Sequence, residues 1–318
     1  MGNGEVADSS ARTGGLHTVK QTAWALGAEV SVVALHERRD VADRAVAAAL
    51  EELKRVDGLM SLYRPDSELC RLNRQGRLDR PHPYLVEVLR QAQAMSDRSG
   101  GAFDVTVQPL WELYAAAKKA GRIPETGEIE AARRRVDWHK IEVAPERICL
   151  TGDGMAVTLN AIAQGFAADR VLAELRDHGV AHALVNTGEI GALGGKENGK
   201  PWTVGIQHPR RPDAYVALVA LEDRCMATSG DYATAFSGDH LYHHIFDPAT
   251  GRSPDAFSSV TIVAPGGAEA DALATAVFVL GPEKGLHLVR SSANREAFFV
   301  FKDGRTLATE GFPETSAA

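Results

Sequence analysis

Residues 268–276 read AEADALATA, with Asp271 and Thr275 four positions apart. On a helix they share a face and offer one carboxylate and one hydroxyl oxygen to the same point. A few hard oxygen donors suit Mg²⁺, which keeps waters and completes its shell with substrate phosphates. The competing reading has Thr275 packed and Asp271 in the first helical turn, where the dipole favours a carboxylate. Residues 157–169, VTLNAIAQGFAAD, run from a strand end through Asn160-Ala161 into a helix. Small residues at Ala161, Ala163 and Gly165 admit a ligand or a neighbouring backbone, and the first helical amides can receive an anion. Close packing of helix on sheet explains the same pattern.

A third segment pairs ATSGD at 227–231 with HLYHHIFDPATG at 240–251. Three histidines invite a zinc reading. If residues 241–246 are extended, however, His243 and His244 point to opposite faces, and His240 lies roughly 13 Å from His244 at ~3.3 Å per residue. That leaves His244, beside Tyr242 and Phe246, as a candidate general base, with a structural histidine as the alternative. Asp247-Pro248 then opens a turn that Gly251 closes. A fourth segment joins Tyr63, able to stack on a planar ring, with Asp104 after the Gly100-Gly101 turn, able to bond to one.

The elements that must position these residues follow from periodicity. Residues 22–33 read as a strand, with Ala23, Ala25, Gly27 and Glu29 on one face. Asp40 caps a helix whose apolar stripe is Val46, Ala49, Leu50, Leu53 and Val56, with Glu51, Glu52, Lys54 and Arg55 on the wet side. Helices are expected over about 84–96, from Pro109 to near Gly121, over 125–134 with a solvated face, over about 161–178, and over about 269–280 until Gly281-Pro282 breaks it. Strands are expected at 183–186, 202–206, 215–221, 241–246, 260–263 and, last, 297–301. Helices and strands come in clumps without a strict βαβ beat, which favours α+β. A flexible segment over 1–20, one bilobal domain over 21–305 and a tail over 306–318 complete the expectation.

The chain has 318 residues, 44% apolar and 24% charged, with a net charge of −7. This is ordinary globular usage, and no Lys/Arg cluster is long enough to track a phosphate backbone, so a nucleic-acid partner is not expected. Cys70, Cys149 and Cys225 lie far apart and suggest small buried hydrophobes, not a disulfide framework. Apolar runs such as 272–280 reach about half of a membrane span. The first sixteen residues lack a hydrophobic stretch, so the chain as written is expected in the cytoplasm, or in the periplasm if a leader is missing.

Taken in order, the blocks at 61–73, 101–110, 158–169, 186–194, 202–209, 227–231, 243–251 and 259–281 resemble the ApbE family, the FAD:protein FMN transferases. The resemblance implies an α+β fold that uses FAD and Mg²⁺. It implies transfer of FMN, through its phosphate, to a Ser or Thr hydroxyl of an acceptor flavoprotein, with release of AMP. It places metal ligands on Asp271, Thr275 and the carbonyl of Ala161, and nucleotide contacts on Leu26, Tyr63, Ala102, Phe103, Asp104, Thr158, Gln164 and Phe246. His244 matches the family histidine that would activate the hydroxyl. Thr158 and Gln164 depart from the pattern, which has an acid and a charged residue, often Lys, at those two positions. The run TLNxIAQGF with NTGEIGALG resembles a subgroup linked to nitrous oxide reductase maturation. An FAD pyrophosphatase and a non-enzymatic FAD carrier are the alternative readings.

Overall fold

The structure is a computed structural model describing residues 9–13 and 15–316. The chain opens with β1 (Ser9–Thr13), β2 (Leu16–Ala25) and β3 (Ala28–His36). The strand expected over 22–33 is therefore a hairpin. Leu26 (φ 51°) and Gly27 (φ 77°) both take left-handed backbone, the two-residue turn whose twist suits the flanking strands. Leucine is uncommon there. Its amide is tied to Asp57 Oδ1 at 2.8 Å, a bond that no local pattern announces.

The helix α1 (Arg39–Met60) buries the expected stripe. Asp40 does not cap it. The N-cap is Arg38, and Asp40 sits in the first turn, paired with Arg38 and Arg44 at 2.7 and 2.9 Å. Glu52, expected on the wet side, is buried and held by Arg55 at 2.6 Å. Next come α2 (Glu68–Gln75), β4 (Arg77–Asp79), α3 (Pro83–Arg98), α4 (Gln108–Lys119), α5 (Thr126–Arg133), β5 (Ile141–Ala144) and β6 (Arg147–Leu150). The second half holds α6 (Ala163–Asp177), β7 (His182–Asn186), β8 (Ile190–Leu193), β9 (Trp202–His208), β10 (Arg211–Leu221) and β11 (Cys225–Gly230). It closes with β12 (Phe257–Ala264), α7 (Gly267–Arg290), β13 (Glu296–Phe301), β14 (Thr306–Ala308) and β15 (Glu314–Thr315).

The main sheet runs β1-β2-β3-β7-β8-β11-β12-β13-β14, flanked by smaller sheets β15-β10-β9 and β4-β6-β5. Every pairing between these strands is antiparallel, as an α+β fold requires when crossover helices do not set the order. One face of the main sheet packs against α1, α3, α6 and α7, in a core that draws on residues from Val19 to Phe299. Its other face buries Leu35, Val263 and Phe298 against Trp202, Ile206 and Val219 of β9 and β10. β12, covered on both sides, is buried along its whole length.

Three further expectations change. Residues 241–246 form no strand: the amides of Phe236 and His244 bond to Tyr242 and Thr234 carbonyls at 2.7 and 3.0 Å, folding the segment onto its own loop. The span 1–20 is not wholly loose, since β1 and the first half of β2 pair within it; residues 1–8 and 14 lie outside the described residues. The span 306–318 is likewise no simple tail: β14 pairs with β13, β15 pairs with β10, and Phe312 is buried. α7 is long and apolar enough to cross a membrane by length and composition, yet half of it is packed in the core and Gly281 (φ 76°) breaks it where expected. Of the cysteines, Cys225 is buried, whereas Cys70 and Cys149 are partly so.

Candidate active site

The site is made by the crossing of α6 and α7. A Cβ on Gly165 would lie 2.1 Å from the Gly267 carbonyl oxygen and 2.8 Å from Asp271 Cβ, so only glycine lets the helices meet backbone to backbone. That approach puts the Gly165 amide 3.1 Å from Asp271 Oδ2. Asp169 of α6 accepts from the Gly267 and Ala268 amides at 2.6 and 2.9 Å, satisfying two of the orphan donors that open α7.

A cavity of about 330 Å³ lies over this crossing. Asp271 and Thr275 project into it from successive turns of α7, and Ala161 lines it just ahead of α6. Thr275 Oγ1 is 2.9 Å from Ser229 Oγ at the end of β11. Asp271 is 5% exposed, and burial, with some help from the charge of Asp169, pushes its carboxyl up to about 7 against the pull of the Gly165 amide. Oδ2 is engaged by that amide, while Oδ1 has no protein donor among the described residues. Such an oxygen-only donor set, facing a cavity, fits a Mg²⁺ ion.

His244 and Phe246 line the same cavity. His244 Nδ1 is 3.3 Å from the Thr234 carbonyl, which fixes Nδ1 as the protonated nitrogen and leaves Nε2 with a free lone pair. Burial lowers its pKa from the ordinary value, so the ring is neutral at pH 7. His243 turns the other way: Nε2 bonds the Pro254 carbonyl at 2.9 Å, the Ile245 amide donates to Nδ1, and the ring meets Phe278 edge-on at 5.5 Å. His240 does not line the cavity, and its Nδ1 is buried without a partner. The two adjacent histidines thus diverge as expected, through a loop instead of a strand.

Tyr63, Ala102, Phe103, Asp104, Thr158 and Gln164 also line the cavity; Leu26 does not. Leu26 belongs to the hairpin turn on which the Tyr63 ring rests, since a Cβ on Gly27 would come 3.0 Å from that ring. Tyr63 is 70% exposed at the mouth. Asp104 spends its carboxylate inside the protein: Oδ1 accepts from the Thr106 amide and hydroxyl at 2.8 and 2.6 Å, and Oδ2 from the Trp138 amide at 3.2 Å. It fixes the loop that forms the wall. Thr158 is held through its amide by the Val105 carbonyl at 2.8 Å, and the Gln164 side chain lies across Gly188. A larger groove of about 490 Å³ between the end of α3 and the far half of α7 is open and lacks comparable convergence of polar groups.

Sequence reasoning missed Glu189, Trp111 and Ser229 in this cavity. Ser229 was legible only as part of ATSGD. Glu189 follows a left-handed Gly188 (φ 99°) ahead of β8, and its signal lay in the NTGEIGALG run, which entered as part of the family resemblance and not as chemistry. Burial and the nearby charge of Asp271 hold its carboxyl well above the usual range, while the Thr228 amide pulls it down.

Comparison with known proteins supplies the context. The model of the ApbE family matches residues 26–299. The FAD:protein FMN transferase of Treponema pallidum is 35% identical over 307 residues, covering 88% of this chain and 83% of that protein. The Klebsiella pneumoniae protein of the same name is 32% identical over 300 residues, covering 90% and 84%. Among solved structures, the ApbE protein of Thermotoga maritima superposes with a TM-score of 0.83 at 28% identity, covering 92% of this chain and 97% of that one. The Pseudomonas stutzeri flavinyl transferase ApbE gives 0.78 at 29%, covering 94% and 98%. A family match across most of the chain, a full-length relative above 30% identity and a shared fold lead to one assignment: the chain belongs to the ApbE family.

Proposed function

We propose that the chain is an FAD:protein FMN transferase, moving FMN from FAD to a Ser or Thr hydroxyl of an acceptor flavoprotein and releasing AMP. The observation that carries this reading is the shared cavity: Asp271, with Oδ1 free of protein donors, Thr275, whose hydroxyl pairs only with that of Ser229, and His244, with Nε2 unprotonated, all line the same space. Asp271, Thr275 and the Ala161 carbonyl would hold Mg²⁺. When bound, it neutralises pyrophosphate charge and stabilises the charge that develops at phosphorus.

The chain's own residues do the rest. Tyr63, exposed at the mouth, and Phe246, within the lining, offer aromatic surface to the flavin and adenine ends of the substrate. Thr158 and Gln164 contribute neutral hydrogen-bonding groups where relatives of this family carry charge. His244 Nε2 accepts the proton of the acceptor hydroxyl. The hydroxyl oxygen then bonds to the phosphorus nearer the riboflavin, the bridging P–O bond breaks, and AMP departs with its electron pair. Proton acceptance of this kind is worth about 10²–10⁴-fold.

The test is incubation with FAD, Mg²⁺ and an acceptor carrying an exposed Ser or Thr, followed by intact-mass analysis. A gain of one FMN less water is expected, and none with Asp271→Asn. AMP formed without any gain in acceptor mass would make water the nucleophile and the protein a pyrophosphatase. FAD held without AMP release would make it a carrier.

A further inference from the structure

The cavity that would receive an anionic dinucleotide is lined by no lysine and no arginine. It is lined instead by three carboxylates, of which Asp104 is fully engaged within the protein. The other two, Asp271 and Glu189, have no basic partner among the described residues. Glu189 is positioned with care. Its Oε2 accepts the Thr228 amide at 3.0 Å, its carbonyl accepts the Thr187 amide at 2.9 Å, and the Thr187 hydroxyl bonds the Gln164 carbonyl at 2.8 Å. These bonds tie the β7–β8 turn to both α6 and β11. Oε1 has no protein donor. Two carboxylates with free oxygens, facing a pyrophosphate without a guanidinium or ammonium nearby, repel both each other and the substrate when ionised, and a proton or a cation among them relieves that repulsion.

We propose that Glu189 is a further cation-holding residue of this site, its charge and free oxygen acting with Asp271 to retain the divalent ion. The inference rests on the metal assignment above and extends it to a residue of the β7–β8 turn. It explains why this acid is fixed by the Thr228 amide of β11, in a turn that is itself tied to α6, at a cavity that holds no lysine or arginine.

The experiment is titration of the full chain with Mn²⁺, followed by electron paramagnetic resonance, with and without FAD. Wild type is compared with Glu189→Gln, Glu189→Asp and Asp271→Asn. Loss of a group that supports a metal site typically weakens binding about 10–100-fold. That loss is expected for Glu189→Gln, whereas Glu189→Asp, which keeps the charge, recovers most of it. If Asp271→Asn loses Mn²⁺ and Glu189→Gln binds it like wild type, Glu189 serves only to hold the Thr228 amide and the inference fails alone. If wild type binds no Mn²⁺ in either condition, the metal assignment falls and takes the inference with it. Melting temperatures of the variants separate both results from misfolding.

Discussion

Two neighbouring histidines show how little of a residue's role lies in its type. His244 keeps Nε2 free by giving its Nδ1 proton to Thr234, and burial lowers its pKa. A base with a depressed pKa stays neutral to lower pH, so the acid limb of kcat/KM falls below the ordinary histidine range near 6.5. Replacing His244 with Ala reduces transfer by about 10²–10⁴-fold while FAD binding persists, as equilibrium dialysis would register. An unchanged transfer rate would remove it from the mechanism. His243 uses both nitrogens internally, and burial lowers its pKa to about 4. Its folded-state pKa lies below the unfolded value, so its stabilisation is present above about pH 6.5 and is lost as pH falls towards 4. That loss is on the order of 3 kcal/mol at most. Asp271 and Glu189, with raised values, push the other way as pH falls, so the quantity to measure is the difference between wild type and His243→Gln in denaturant unfolding. The difference shrinks from pH 7 to 4.5, and a constant difference would mean that His243 is protonated without cost.

At the scale of elements, the helix pair α6–α7 is the part of the site most sensitive to a single methyl group. Gly165→Ala would place its Cβ against the Gly267 carbonyl and Asp271, and the helices must separate. Overpacking costs about 1–3 kcal/mol, and here it also displaces the carboxylate, so Mn²⁺ affinity falls together with melting temperature. Retained affinity with lowered stability would separate packing from ligand placement. The residue pattern already indicated a close approach at Gly165 and the stripes of α1 and α3, because these depend on local periodicity. It did not reveal the Leu26-Gly27 turn, whose stability comes from Asp57, 31 positions away. Nor did it reveal the irregular path of 241–246, secured by Thr234 and by the Ser253 hydroxyl. Asp271, Thr275 and His244 were legible because their chemistry is unusual where it stands. Glu189 was legible only as a letter of the NTGEIGALG run, since an acid beside a glycine turn does not by itself announce a cavity.

At the scale of the whole molecule, the antiparallel sheet brings distant segments onto one small wall, and one buried carboxylate locks them. Asp231, just after β11 and fully buried, accepts from Arg210 in the β9–β10 turn at 2.7 Å through both oxygens, and pairs with Lys302 just past β13 at 2.5 Å. Lys302 also reaches the His240 carbonyl at 2.7 Å, so the cluster anchors the loop between β11 and β12 at its start and again four residues ahead of His244. Burial raises the Asp231 pKa, but the two cations outweigh it and the net shift is downward. The stabilisation therefore persists above about pH 4, the unfolded value, and disappears only below it. Removing one partner of a buried ion pair costs about 3–5 kcal/mol. Arg210 and Lys302 are 35% and 20% exposed and can rehydrate, so Asp231→Ala belongs at or below the lower end. Its functional effect has a direction as well. Asp271, Thr275 and Gly165 sit on α6 and α7, outside the clamp, whereas His244 sits on the clamped loop. Asp231→Ala therefore lowers kcat by a larger factor than it raises the KM for FAD, since of the nucleotide contacts only Phe246 rides on that loop, at a temperature where the variant remains folded. If KM for FAD rose in proportion while kcat held, the clamp would be shaping the nucleotide pocket instead, and the division of the site into a rigid helix face and a loop-borne base would be wrong.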